Sequence, residues 1–206
     1  PCHPDPREDR MSRVLTLASQ SPRRKQLLEM LGLPIRVAPA NVYEMPLPKE
    51  EPLAYSRRLA REKAQTGIGE FVLGADTIVV LDEHLLEKPA DDADALRMLR
   101  LLQGRAHEVI TSIALVAGGT LYQDTDVTKV TFRPADDRFL RAYIATGEPH
   151  DKAGAYGIQG YGAALVERVE GDFFGVMGLP LRLVLKLLAE AGWEYGFDQR
   201  SEEKKR

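Results

Sequence analysis

Two long β-like runs, residues 109–117 and 121–132, flank Gly118-Gly119. A glycine pair between strand-like segments is a hairpin signal, because tight turns that match strand twist need positive φ. Such a hairpin places an antiparallel pair inside whatever sheet the chain builds. Upstream, strands alternate with helices. Residues 13–18 (RVLTLA) read as a short strand that ends at SQSP. Ser21 is placed as an N-cap and Pro22 at the first helical position, and RRKQLLEML continues the helix with Leu27, Leu28 and Leu31 on one face. Gly32 stops it. Residues 35–38 read as a second strand, 41–51 as irregular, and 52–65 as a helix. Residues 71–81 are strand-like but interrupted at Ala75, Asp76 and Thr77. Helices follow at 91–103 and 136–145, then a Gly-rich stretch from 147 to 162, a strand at 163–169 and a helix at 180–191. Early β/α alternation with a central hairpin predicts an α/β domain on a mixed sheet, not a pure doubly wound one.

No internal repeat or linker divides the chain. A single domain over residues 13–195 is expected, with non-native or unstructured tails at 1–12 and 196–206 and Met11 as the native start. The one cysteine, Cys2, cannot form an internal disulfide and has nothing near it to order it as a nucleophile. No apolar run approaches the ~18 residues of a membrane span, and the first residues do not read as a signal peptide. A cytoplasmic protein with no membrane partner is the expectation. A net charge of −3 argues against a nucleic-acid coat. Residues 1–63 nevertheless carry 12 Lys+Arg against 8 Asp+Glu, whereas the rest carry 16 against 23. That asymmetry fits a local site for a small anion, or an uneven scatter of surface charge.

The chemistry-bearing positions cluster in four segments. The first is SQSPRRK. A helix N-terminus offers unpaired N–H groups and partial positive charge, and Ser19 and Ser21 add hydroxyls. Arg23 and Arg24 in the first turn oppose the helix dipole unless an anion offsets them. Phosphate binding and a plain cap with solvated arginines are equally open here. The second is Asp76 with Thr77. A carboxylate between apolar runs needs a partner, such as a hard cation or an activated water, or else sits in a bulge. The third is a set of lysines, Lys63 in REKA, Lys88 in LEKP and Lys152 in DKAG, which could surround a polyphosphate or lie solvated. The fourth is DKAGAYGIQGYGA, whose glycines permit close backbone approach and whose Gln159 could read a base edge. No phosphate loop, dinucleotide fingerprint, HExxH or GxSxG occurs, and the four histidines have no metal-ligand spacing.

In this order, LASQSPRRKQLL, REKA, LGADTIV, LEKP, TDVTKVTF, GEPHDKAGAYGIQG and GDFFGVMGLPL resemble the Maf family of nucleotide pyrophosphatases. The resemblance implies an elongated fold like that of inosine triphosphatases, two lobes with a cleft, and a twisted mixed sheet flanked by helices. It implies hydrolysis of a nucleoside triphosphate to monophosphate and pyrophosphate with Mg²⁺ or Mn²⁺. Ser21, Arg23 and Arg24 correspond to the phosphate-binding end, and Lys152 is grouped with them. Glu44, Lys63, Asp76 and Lys88 correspond to the catalytic cluster, Asp76 being the proton acceptor, with Asp76 and Glu44 assigned to the metal. Arg23, Thr77 and Gln159 match positions tied to substrate choice. GADT and YGIQG resemble the branch acting on dTTP and UTP. Asp126 stands where Glu is usual, and Asp172 where a small polar residue is usual. The expected partner is the nucleotide, with no stable nucleic-acid complex and a homodimer left open. The rival reading is a nucleotide-binding regulator of cell division or septum formation without turnover. A phosphatase releasing orthophosphate is a second rival.

Overall fold

The structure is a computed structural model that describes residues 13–197. Cys2, Met11 and the tail segments 1–12 and 198–206 lie outside the described residues. Seven strands form one sheet: β1 (Leu15–Leu17), β2 (Ile35–Val37), β3 (Phe71–Leu81), β4 (His84–Leu86), β5 (Ala106–Ala117), β6 (Thr120–Phe132) and β7 (Val166–Glu170). The order is β2-β1-β3-β5-β6-β7, with β4 on the far half of β3. β1 runs parallel to β2 and β3, while β3, β5, β6 and β7 pair antiparallel. The sheet is therefore mixed, as the hairpin required. Gly118 and Gly119 turn it with φ of 55° and 80°.

Among the described residues six α-helices flank the sheet: α1 (Pro22–Met30), α2 (Pro52–Thr66), α3 (Asp92–Leu102), α4 (Asp137–Ile144), α5 (Phe173–Met177) and α6 (Leu181–Glu190). The Ser21 cap acts as the sequence suggests, and two aspartates start later helices in the same way. Ser21, Asp91 and Asp136 each accept a hydrogen bond from a backbone amide three residues on. Side chains alternate across β3. Phe71, Leu73, Ala75, Val79 and Leu81 enter the large core with α1, α3, α4 and α6. Ile78 and Val80 face α2, packing with Tyr55 and Leu59.

The structure corrects four expectations. β3 is continuous: Ala75, Asp76 and Thr77 pair in register with Ile113, Ser112 and Thr111, so Asp76 sits in no bulge. β4 and α5 were not foreseen, being three and five residues long. The Gly-rich stretch contains three short 3₁₀ turns, one of which takes residues 163–165 from the expected last strand.

β1 covers the edge of β3 only as far as Leu73, and β4 covers it only from Val79. Among the described residues no strand pairs with residues 74–78 on that side. Asp76 and Thr77 lie in this gap, beside the loop that leaves β1 for α1. Crevices beyond strand ends, where neighbouring connections diverge, are where α/β sheets bind ligands.

Candidate active site

A cavity of about 1030 Å³ opens at this gap. Ser21, Arg23 and Arg24 line it from the start of α1, and Glu44 from the irregular segment before α2. Lys63, Asp76, Thr77 and Lys88 line its middle, and Lys152 and Gln159 its far wall. Every residue assigned from the sequence to catalysis, substrate or metal thus reaches one space, from segments far apart in the chain.

On the α2 side, glycine sets the geometry. A Cβ on Gly74 would lie 2.2 Å from the Ala60 carbonyl oxygen and 2.5 Å from the Ala64 nitrogen. Only glycine lets α2 seat this closely, and small neighbours (Ala60, Ala64 and Ala114) complete the contact. Asp76 is two residues on, so it projects from the same face. There the Lys63 ammonium lies 2.9 Å from Asp76 Oδ1 and 2.9 Å from Glu44 Oε1. Lys63 and Asp76 are both buried, 6% exposed each, while Glu44 is exposed. Asp76 Oδ2 is buried without a hydrogen-bond partner. Burial opposes ionisation of Glu44, but the Lys63 hydrogen bond and the charges of Lys63, Lys88 and Arg24 outweigh it, so its pKa falls below the usual carboxylate range.

Thr77 projects to the opposite face and meets Arg24. The guanidinium donates from Nε to the Gly178 carbonyl (2.9 Å), from Nη1 to Ser19 Oγ (3.1 Å) and from Nη2 to Thr77 Oγ1 (3.1 Å). Thr111 stands beneath, 3.0 Å from Thr77 Oγ1, and donates to the Gly175 carbonyl at 2.8 Å. Burial lowers the pKa of Arg24, and the charges of Asp76 and Glu44 act against that fall. Arg23 reaches across the cavity to Asp151 at 3.1 Å. Lys152 donates to Asp151 (2.5 Å) and to the Glu148 carbonyl (2.6 Å), so its ammonium braces the loop that holds Arg23's partner. Lys88 and Gln159 are exposed on the cavity wall.

Residues 14–191 match the family described as Maf-like protein. The chain belongs to the Maf family. This Maf chain is 48% identical over 182 residues to the dTTP/UTP pyrophosphatase of Koribacter versatilis, covering 86% of this chain and 94% of that one. It is 47% identical over 187 residues to the dTTP/UTP pyrophosphatase of Chromobacterium violaceum, with coverage of 86% and 94%. For the dTTP/UTP pyrophosphatase of Hydrogenovibrio crunogenus the identity is 46% over 189 residues, with coverage of 89% and 98%.

Some cavity residues gave no sequence signal. Tyr55 donates its hydroxyl to Glu87 at 3.0 Å. Glu148 and Asp151 work through backbone amides and cross-cavity pairs that no spacing rule reveals. The two departures from the family pattern meet each other outside the cavity. Buried Asp126 pairs with Arg182 and accepts from Thr128 Oγ1 at 2.7 Å, while Asp172 caps α5 and pairs with the same Arg182 at 3.1 Å.

Proposed function

We propose that this Maf protein hydrolyses dTTP and UTP to the monophosphate and pyrophosphate. The observation that carries this reading is the two-sided cavity. A buried carboxylate with one unpartnered oxygen stands on one face of β3, and a braced arginine at a helix N-terminus stands on the other. An anhydride substrate needs both a polarised water and a cationic bed for its phosphates. The names of the relatives supply the nucleotides.

Water attacks the α-phosphorus in line. The new P–O bond forms as the bond to the bridging oxygen breaks, and pyrophosphate leaves. Asp76 accepts the water's proton at Oδ2 and passes it to solvent, while Lys63 holds Oδ1 and fixes the carboxylate's orientation. Arg24 has spent three of its five N–H donors on the protein and keeps two for phosphate oxygens. Arg23 and Lys88 neutralise the departing pyrophosphate, and the start of α1 adds the positive end of its helix dipole.

The donor set fits a hard divalent cation. Asp76 and Glu44 would hold it, and, against the effect of burial, the Lys63 hydrogen bond lowers the pKa of Glu44 and so favours its ionised form. Among the described residues no group of three or more His, Cys, Asp or Glu could hold a metal ion, so substrate oxygens and water would complete the coordination. When bound, Mg²⁺ or Mn²⁺ supplies charge neutralisation at the phosphates and acidifies bound water.

On the far wall, Gln159 reads the base. Uracil and thymine present a carbonyl–imide–carbonyl edge that one amide can pair with through both donor and acceptor. Cytosine reverses part of that pattern and leaves a group unpaired, at a cost of about 1–3 kcal/mol. We assign the protein to the cytoplasm as a nucleotide enzyme; no described helix is long and apolar enough to cross a membrane.

Product analysis tests the activity. UTP and dTTP with Mg²⁺ or Mn²⁺ should yield one pyrophosphate per monophosphate. Orthophosphate as the first product would make the protein a phosphatase, and no product at all would make it a binding regulator.

A further inference from the structure

The segment that carries Gln159 is held by a carboxylate to which the motifs gave no role. Glu148 stands at the start of the Gly-rich stretch and is half-buried. Its Oε1 accepts from the Tyr143 hydroxyl at 2.9 Å and from the Gly162 amide at 2.9 Å. Its Oε2 accepts from the Tyr161 amide at 2.7 Å. The Tyr143 hydroxyl in turn accepts from the Gly157 amide at 3.1 Å. Glu148 therefore fixes the backbone on both sides of Gln159, through Tyr143 before it and directly after it.

The glycines record the same fit. A Cβ on Gly160 would lie 2.0 Å from Glu148 Oε2, and a Cβ on Gly157 would lie 3.1 Å from Oε1. The carboxylate runs against the loop backbone, which needs glycine there for space and not for positive φ. An ionised carboxylate is suited to this place because it accepts everywhere and donates nowhere, and its hydrogen bonds are about twice as strong as neutral ones.

We propose that Glu148 is a positioning residue for base selection: it holds the loop of residues 157–162 so that Gln159 meets the pyrimidine edge. This rests on the reading of Gln159 as the residue that faces the base. Glu148 itself touches neither the phosphates nor the attacking water.

Glu148→Gln is the direct test. The amide keeps one accepting oxygen and places an NH₂ against an N–H or O–H donor, whichever way it turns. Gly160→Ala is the second test, since its methyl displaces the carboxylate sterically while Glu148 keeps its charge. Both, with Gln159→Ala as reference, are assayed for kcat/KM on UTP, dTTP, CTP and GTP. The UTP:CTP ratio should fall at least about tenfold in all three, and in Glu148→Gln and Gly160→Ala CTP turnover should stay within about threefold of wild type. Amide hydrogen exchange over residues 157–162 should accelerate in Glu148→Gln and Gly160→Ala.

If Gln159→Ala loses selectivity while the other two keep it, the role of Glu148 is overturned and the reading of Gln159 stands. If Gln159→Ala leaves the ratio unchanged, that reading fails and this inference falls with it. An equal loss on all four substrates, without a change of ratio, would make Glu148 a plain structural residue. Should Glu148→Gln not fold, Gly160→Ala decides alone.

Discussion

Lys63 serves two carboxylates at once, and that decides what a substitution at Asp76 does. Removing one partner from a buried ion pair usually costs several kcal/mol, because a charge is stranded. In Asp76→Asn the Lys63 ammonium keeps Glu44 and gains the amide oxygen, so the fold should survive. The charge that takes the proton or binds metal is gone, and kcat should fall by about two orders of magnitude or more. Retention of more than roughly a tenth of wild-type kcat would sink the mechanism. Arg23 behaves differently. Its pair with Asp151 is partly exposed and such pairs contribute about 0–1 kcal/mol, while loss of a cation from a helix N-terminus is mildly favourable. Arg23→Ala should leave the thermal midpoint nearly unchanged and lower kcat/KM for UTP at least about tenfold. A large loss of stability with normal turnover would instead make Arg23 a structural ion-pair residue.

At the scale of elements, the seat of α2 on β3 is the contact to perturb. Gly74→Ala sets a methyl 2.2 Å from a backbone oxygen, which cannot rotate away, so the helix must lift. We expect a loss of about 1–3 kcal/mol, as for overpacked cores, and a fall in kcat at 25 °C, where the variant is still folded, because Lys63 leaves Asp76. Equilibrium denaturation beside steady-state kinetics checks both; unchanged kcat in a destabilised protein would show that Lys63 need not be held so closely. Which elements were legible follows from where their signals lie. Ser21 and the glycine pair act on their own neighbours in sequence, so that cap and the hairpin were readable. Ala75-Asp76-Thr77 looked like a break because strand propensity falls there, whereas pairing with β5 and the reach of Lys63 override it. Lys63, Asp76 and Glu44 each stood out as residues, but the pairing of one ammonium with both carboxylates did not. Short elements such as β4 and α5 exist only through their packing and capping, and Glu148 was hidden because most of its partners are backbone amides.

For the whole molecule, the acid limb of stability has an identifiable contributor. His107 is buried, its Nε2 lies 2.8 Å from the Tyr156 hydroxyl, and Nδ1 has no partner. Burial pulls its pKa down to about 4 from an ordinary 6.5. The unfolded chain binds the proton more readily than the folded one. The neutral imidazole's contribution is thus complete above pH 6.5 and is lost as pH falls from there towards 4. The slope in that window is up to about 1.4 kcal/mol per pH unit. His107→Gln can still bond Tyr156, and its denaturation midpoint should vary less between pH 7 and 5 than that of wild type; identical slopes would remove His107 from the account. The same long-range construction bears on synthesis. Arg24 is anchored by the carbonyl of Gly178, 154 positions away, and Arg23 by Asp151, 128 positions away. A nascent chain cannot assemble the phosphate bed until position 178 has cleared the ribosome. A ligand that binds only the native state stabilises only what can form that state. A nucleotide bound here would therefore stabilise only chains long enough to carry position 178 into the fold.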